Sequence, residues 1–305
     1  MAVTKIHIEE FLQLAQQHPV LDVRSPGEYK HAHIPGAVSF PLFTDEERKV
    51  VGTAYKQKSR EEAIKIGLDY FGVKMRKMVE EAEKIAASHK SEVDSKTVLA
   101  HCWRGGMRSA GVAWLLDLYG FKVYTLIGGY KLFRRWVLEQ FEKNYSFKVV
   151  GGFTGSGKSY VLKALEQNGQ TVIDLETLAH HKGSAFGNIG MPPQPSQELF
   201  ENKLALELHR KANRCIWVED ESQRIGDVNI PIVLWKKWRQ QPLYFLDIPF
   251  EERLKHITEE YGKLERERLV NSIIRIKKRL GGLETKESIN ALIEDRVEDC
   301  FRILL

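Results

Sequence analysis

Gly152-Phe153-Thr154-Gly155-Ser156-Gly157-Lys158-Ser159 matches the pattern G-x-x-x-x-G-K-[ST] without a gap. Its flanks make the match constraining: an apolar run at 147–150 precedes it and a helical run at 160–167 follows it. A phosphate-binding loop (P-loop) needs that strand–loop–helix context. Its glycines let backbone N–H groups wrap a diphosphate, Lys158 neutralises it, and Ser159 is of the type that holds Mg²⁺. Gly152, Thr154, Gly155, Ser156, Gly157, Lys158 and Ser159 are therefore the candidate diphosphate-binding residues. Backbone amides and one lysine recognise a diphosphate whoever carries it, so the loop alone does not say that ATP is consumed.

Short β-like runs alternate with helical stretches along the chain, which is the pattern of parallel sheets covered by helices. Residues 20–23, 97–100 and 123–126 read as strands of a first unit, with a long helical stretch over 60–87 and a helix over 130–144. The alternation restarts with strands at 147–150, 171–175, 215–219 and 243–248. Pro192, Pro193 and Pro195 make 187–196 a loop. Beyond Pro249 the sequence is almost wholly helical, broken at Gly281-Gly282. The expected architecture is two α/β domains, 1–145 and 146–305, the second with a helical C-terminal part.

Of 305 residues, 43% are apolar and 29% charged, enough to bury a core in each half. No apolar run reaches the ~18 residues of a membrane helix, and residues 1–7 lack a signal peptide's apolar stretch. Cys102, Cys215 and Cys300 are too few and too far apart for a disulfide framework or a CxxC zinc site. These features point to the reducing cytoplasm and to no membrane. The net charge of +5 is mild and names no nucleic-acid partner by itself. Basic residues do bunch: Lys131, Arg134 and Arg135 flank Phe133 and Trp136, and Arg275, Lys278 and Arg279 sit in a basic stretch over 263–279. A solvated helix face accounts for any one cluster as well as RNA phosphates do.

The first half carries its own chemical segment, His101-Cys102-Trp103-Arg104-Gly105-Gly106-Met107-Arg108-Ser109, directly after the apolar run at 97–100. A cysteine, five residues and an arginine is the spacing of a loop that curls around an anion. Gly105-Gly106 lets N–H groups point inward, and the following helix adds its positive end. Such surroundings lower a thiol's pKa, so Cys102, Arg104 and Arg108 are the candidate catalytic residues. Phosphatase and sulfur-carrier chemistry both fit that spacing. In the second half, Glu219-Asp220-Glu221 ends a strand opposite the P-loop, as a metal-binding acid would; an exposed acidic turn fits equally. Asp174, His181 and Ser184 lie where such folds place an acceptor substrate.

Leu21-Asp22-Val23-Arg24 and His33-Ile34-Pro35-Gly36-Ala37, with the Cys102 loop, Gly128-Gly129-Tyr130 and Trp136, resemble a rhodanese domain rather than a phosphatase. That resemblance implies sulfur or selenium chemistry on Cys102, with Asp22 and Arg24 bracing the loop and His31 and His33 packing a turn. Both halves together, through Cys-Trp-Arg-Gly-Gly-Met-Arg-Ser, Thr-Gly-Ser-Gly-Lys-Ser, His-Lys-Gly-Ser-Ala-Phe-Gly and Glu-Asp-Glu-Ser-Gln, resemble the tRNA 2-selenouridine synthase family from end to end. The resemblance implies a rhodanese-like domain joined to a P-loop NTPase-like domain. It implies replacement of sulfur by selenium at C2 of a wobble 2-thiouridine in the anticodon stem-loop of tRNA. Geranyl diphosphate first alkylates the sulfur, and selenium from selenophosphate then displaces the S-geranyl group. On this reading geranyl diphosphate and selenophosphate are co-substrates, no cofactor is tightly bound, and Mg²⁺ is the one ion the P-loop would use, with no metal certain. Two other readings remain open: an ATP-dependent enzyme in which Cys102 delivers persulfide sulfur, and a nucleotide-sensing module without catalysis.

Overall fold

The computed structural model describes residues 3–89 and 96–305. Of the segment 1–7 read above for targeting, Met1 and Ala2 lie outside the described residues. Packing divides the chain into two compact units, Met1–Glu139 and Gln140–Leu305. Both are α/β, and the second has a helical C-terminal part.

In the first unit β1 (Thr4–Ile6), β2 (Val20–Asp22), β3 (Val38–Ser39), β4 (Thr97–His101) and β5 (Lys122–Leu126) form one parallel sheet in the order β1-β5-β4-β2-β3. The three strands legible in the sequence are the interior ones, whose apolar runs face helices on both sides. The two that escaped it, β1 and β3, are edges of three and two residues with mixed exposure. Such runs are too short to carry a period. The helical stretch expected over 60–87 is two helices, Arg60–Gly72 and Met75–Ser88. Gly72 ends the first, and the Lys74 N–H returns to the Phe71 carbonyl at 2.9 Å to make the joint. Cys102 belongs to this unit's core with Val98, Ala100, Val112 and Leu116.

In the second unit the strands are β6 (Ser146–Gly152), β7 (Thr171–Ile173), β8 (Cys215–Glu219), β9 (Arg224–Ile225), β10 (Val228–Asn229) and β11 (Leu243–Leu246). A four-stranded parallel sheet runs β11-β6-β8-β7, and β9 pairs with β10 as an antiparallel hairpin. The register sets Glu219 of β8 opposite Val150 of β6, at the root of the P-loop. β7 stops before the expected residue 175 because Asp174 caps helix Leu175–Ala179: its Oδ1 accepts the Thr177 N–H at 2.9 Å. Five helices follow, Phe250–Tyr261, Arg266–Arg275, Lys277–Leu280, Gly282–Ile293 and Val297–Leu304. They close over a core that includes Leu254, Ile257, Leu269, Ile273 and Phe301. No helix among the described residues is long and apolar enough to cross a membrane.

Candidate functional site

β4 delivers Cys102 to the start of helix Met107–Leu118. Between them Gly105 adopts φ +64°, and a Cβ there would meet the Leu126 carbonyl oxygen at 2.6 Å, so the loop closes only around glycine. Cys102 Sγ accepts the Gly106 N–H and the Ser109 hydroxyl, each at 3.3 Å. Burial opposes ionisation of this thiol, which is 3% exposed. Hydrogen bonds from the Ser109 side chain and from backbone N–H groups of the loop outweigh burial and hold the thiol below its ordinary value. In the sequence Ser109 ends the motif with no evident part in it. A hydroxyl in the first turn of the helix that the loop opens is the signal.

The arginines near the loop are engaged with carboxylates. Arg108 donates to Glu28 at 2.7 and 3.4 Å, and Glu28 also accepts the Ser25 N–H at 3.1 Å and meets Arg48 at 3.0 Å. Burial opposes the Glu28 charge, but Arg108, Ser25 and Arg48 hold its carboxyl below the usual range. Arg24, buried, forks onto Asp22 with its shortest contact at 2.6 Å, donates to the Ala32 carbonyl at 2.7 Å and lies 3.8 Å from the centre of the Tyr130 ring. The β2–β4 register sets Asp22 beside His101, whose Nε2 is 3.7 Å from Asp22 Oδ2. Burial pushes the His101 imidazole down, to the neutral form. Arg104, by contrast, is exposed on the loop. His33 stacks on Tyr29 at 4.1 Å and bonds its carbonyl at 3.0 Å, a packing role, while His31 is exposed.

In the second unit β6 runs to Gly152, and helix Lys158–Gln167 begins after Gly157. Gly155 and Gly157 hold φ +80° and +75°, and a Cβ on Gly155 would meet the Arg253 carbonyl and Ile257 at 2.9 Å. Thr154 is exposed, and the buried Ser156 hydroxyl has no partner among the described residues. Lys158 Nζ donates to the Gly152 carbonyl at 3.3 Å and lies 3.5 Å from Glu219 Oε1. The Ser159 hydroxyl bonds Glu176 at 3.0 Å and Glu219 at 3.4 Å. Oxygens of Glu176, Glu219 and Glu221 lie within 4.8 Å of one another, on the wall of a cavity of about 370 Å³ above the loop. Burial, and then their mutual repulsion, pushes each of these carboxyls up to about 7. A divalent cation would relieve that repulsion, and carboxylate and hydroxyl oxygens are the hard ligands Mg²⁺ takes, so the residues fit it.

The remaining candidates divide. Asp174 spends both carboxylate oxygens on Thr177, at 2.9 and 2.8 Å, and reaches the cluster only as added negative charge. Asp220 pairs with Arg239. His181, pushed down by burial, accepts the Gly183 N–H at 3.2 Å and shapes the turn. Ser184 lines the cavity, its hydroxyl 3.3 Å from that of Tyr261. Glu176, two residues after Asp174 in the same segment, is the member of the cluster that the sequence does not single out. Lys182, which bonds Glu260 at 2.6 Å on the same wall, is another omission. Of the basic candidates, Arg135 is exposed with Glu139 at 4.0 Å, Arg134 is half-buried, and Arg275, Lys278 and Arg279 are exposed.

Both halves match known families. Residues 7–135 match the Rhodanese-like domain, and residues 145–300 match the tRNA 2-selenouridine synthase AAA domain. The chain is 36% identical over 288 residues to the tRNA 2-selenouridine synthase of Pseudomonas putida (strain W619), covering 87% of this chain and 76% of that one. It is 35% identical over 305 residues to the one of Sulfurovum sp., covering 92% and 80%. With that of Bdellovibrio bacteriovorus it shares 36% over 274 residues, covering 86% and 69%. A cysteine loop with a stabilised thiolate and a P-loop over an acidic cavity are thus found in a chain that matches its relatives through both halves, and the chain belongs to the tRNA 2-selenouridine synthase family.

Proposed function

We propose that this enzyme replaces sulfur by selenium at C2 of wobble 2-thiouridine in the anticodon stem-loop of tRNA, in two displacements. In the first, the thiocarbonyl sulfur attacks C1 of geranyl diphosphate. A C–S bond forms, the C–O bond breaks, pyrophosphate leaves and the base loses its N3 proton. The P-loop supports this step: its backbone N–H groups and Lys158 stabilise charge developing on the leaving oxygens. Mg²⁺ held by Glu176, Glu219, Glu221 and Ser159 would supply further neutralisation of that charge.

In the second step the Cys102 thiolate adds at C2 and geranylthiolate leaves. Selenium of selenophosphate then displaces Cys102, and water takes the phosphoryl group as phosphate. Every event is a displacement, so no oxidant or reductant is consumed. A selenium atom carried on the Cys102 sulfur would instead require an oxidant. The exposed Arg104 is the cation available to selenophosphate at this loop, while Arg108 orders it through Glu28. A wobble base is reached only unstacked, and Arg134, Arg135, Arg275, Lys278 and Arg279 are the candidates for phosphate contacts with the tRNA. A tRNA substrate and three free cysteines suit the cytoplasm.

The observation that carries this reading is the convergence of the Gly106 N–H and the Ser109 hydroxyl on Cys102 Sγ, which favours the nucleophilic thiolate over the thiol. Mass spectrometry of nucleosides from thiolated tRNA incubated with the protein and geranyl diphosphate tests it. S-geranyl-2-thiouridine should form without selenophosphate, and 2-selenouridine with it. Selenium incorporation that needs ATP and leaves geranyl diphosphate untouched would overturn it.

A further inference from the structure

The cavity over the P-loop does not end at its phosphate-binding residues. A second cavity of about 450 Å³ adjoins it and shares Thr154, Gly183, Ser184, Ser222, Ile257 and Tyr261 with it. Across those shared residues the wall changes character. On the P-loop side stand Lys158, Lys182 and the three glutamates; on the other stand Ala185, Phe186, Ile276, Leu280 and Phe301. The rings of Phe186, Tyr261 and Phe301 meet at 5.7, 5.9 and 6.2 Å, giving the far side a packed aromatic wall. At the junction the Tyr261 and Ser184 hydroxyls lie 3.3 Å apart, a polar rim between an ionic and an apolar compartment.

We infer that this second cavity binds the apolar chain of an organic diphosphate whose phosphates rest on the P-loop. The inference rests on the diphosphate reading above and adds where the chain goes. Its volume falls within the ~300–1,000 Å³ of small-molecule sites. Among the described residues its lining holds no side-chain carboxylate and no side-chain amide to read the edge of a nucleobase, and Arg279 is its one charged side chain. Helices Phe250–Tyr261, Lys277–Leu280 and Val297–Leu304 bring Ile257, Leu280, Phe301 and Leu304 to its wall, and side chains of that kind suit a hydrocarbon chain better than a nucleoside. Each methylene buried there strengthens binding about fourfold.

Calorimetry with inorganic pyrophosphate, dimethylallyl diphosphate, geranyl diphosphate and ATP tests this on the full chain. Geranyl diphosphate should bind on the order of 1,000-fold more tightly than dimethylallyl diphosphate, which has five fewer carbons. Leu280→Trp, which fills the cavity from a half-buried position, should weaken geranyl diphosphate at least tenfold and leave pyrophosphate within twofold. Retained pyrophosphate binding shows that the variant folds; Ala185→Leu serves as the second filling variant. Equal binding of all chain lengths, or geranyl diphosphate binding untouched by both fillings, overturns the inference while the diphosphate reading stands. Chain-dependent binding that the fillings abolish, together with no S-alkylation of thiolated tRNA, upholds the cavity and overturns the proposed reaction.

Discussion

The Cys102 loop and the P-loop are both built to favour negative charge, and they differ in what they hold before a ligand arrives. Each follows a buried parallel strand, turns on glycines with positive φ and runs into a helix N-terminus. At Cys102 the donors converge on the protein's own sulfur, and Arg24 and Arg108 are tied to Asp22 and Glu28. That loop directs its donors to a group of its own chain, and they favour its ionised form. At the P-loop three carboxyls are pushed up to about 7 around Lys158, facing a cavity of about 370 Å³. Lys158 and Ser159 are close partners of these crowded carboxyls, and the proposed cation, with its diphosphate, would relieve that crowding. A preorganised nucleophile and a strained ligand site suit two different steps.

If that contrast holds, substitutions should separate the steps. Cys102→Ala should lower selenium incorporation by ~10³-fold or more, as expected for loss of a nucleophile, and S-geranylated tRNA should accumulate. Lys158→Ala should lower alkylation by ~30- to several-thousand-fold, the ~2–5 kcal/mol typical of removing one partner from a desolvated charge pair. Quantified tRNA nucleosides read both. Ser109→Ala removes one donor to the thiolate and should raise the Cys102 thiol pKa, a hydrogen bond to a charged group being worth ~1.5–3 kcal/mol. The rate of iodoacetamide labelling at Cys102 against pH measures it, and an unmoved profile would assign thiolate stabilisation to the backbone alone.

The acidic cluster makes a thermal prediction. Its carboxyls titrate higher in the folded chain than in the unfolded one, so the folded chain binds more protons between about pH 4.5 and 7 and loses stability as pH rises through that window. Glu221→Gln should flatten the fall, and Mg²⁺ should raise the melting temperature more at about pH 8 than at about pH 5.5. Melting curves at both pH values with and without Mg²⁺ decide it; an equal effect at both would remove the cation from this site. The smallest effect concerns RNA. Arg134→Ala with Arg135→Ala should make the log–log salt slope of tRNA affinity shallower by about one or two units, alike for thiolated and unthiolated tRNA. An unchanged slope assigns the pair to a structural helix face.

Legibility followed the range of the interactions. Local motifs read well: the strand–loop–helix about Lys158, the cysteine loop, and the apolar runs of the interior strands. Edges β1 and β3 did not, because two or three residues carry no period and are specified by their neighbours' register. At the sites, sequence identified the residues that the chain brings to one loop and missed the tertiary partnerships. Arg108 reads as a free cation until Glu28, 80 residues away, closes on it. Asp174 reads as a substrate or metal candidate and is found capping a helix, while Glu176, two positions on, reaches Ser159. A carboxylate's role depends on which side of a helix start it falls, and a residue or two decides that.

A crossed assay tests the division of labour between the two loops most directly. Thiolated tRNA and tRNA already carrying S-geranyl-2-thiouridine are each given to Cys102→Ala and Lys158→Ala proteins, with selenophosphate present throughout and geranyl diphosphate added to the thiolated substrate. The account predicts that Cys102→Ala geranylates the first substrate and converts neither to 2-selenouridine. Lys158→Ala should leave the first unmodified yet convert a substantial part of the second. Equal loss of both conversions in both variants would contradict it, making the two loops parts of a single catalytic step.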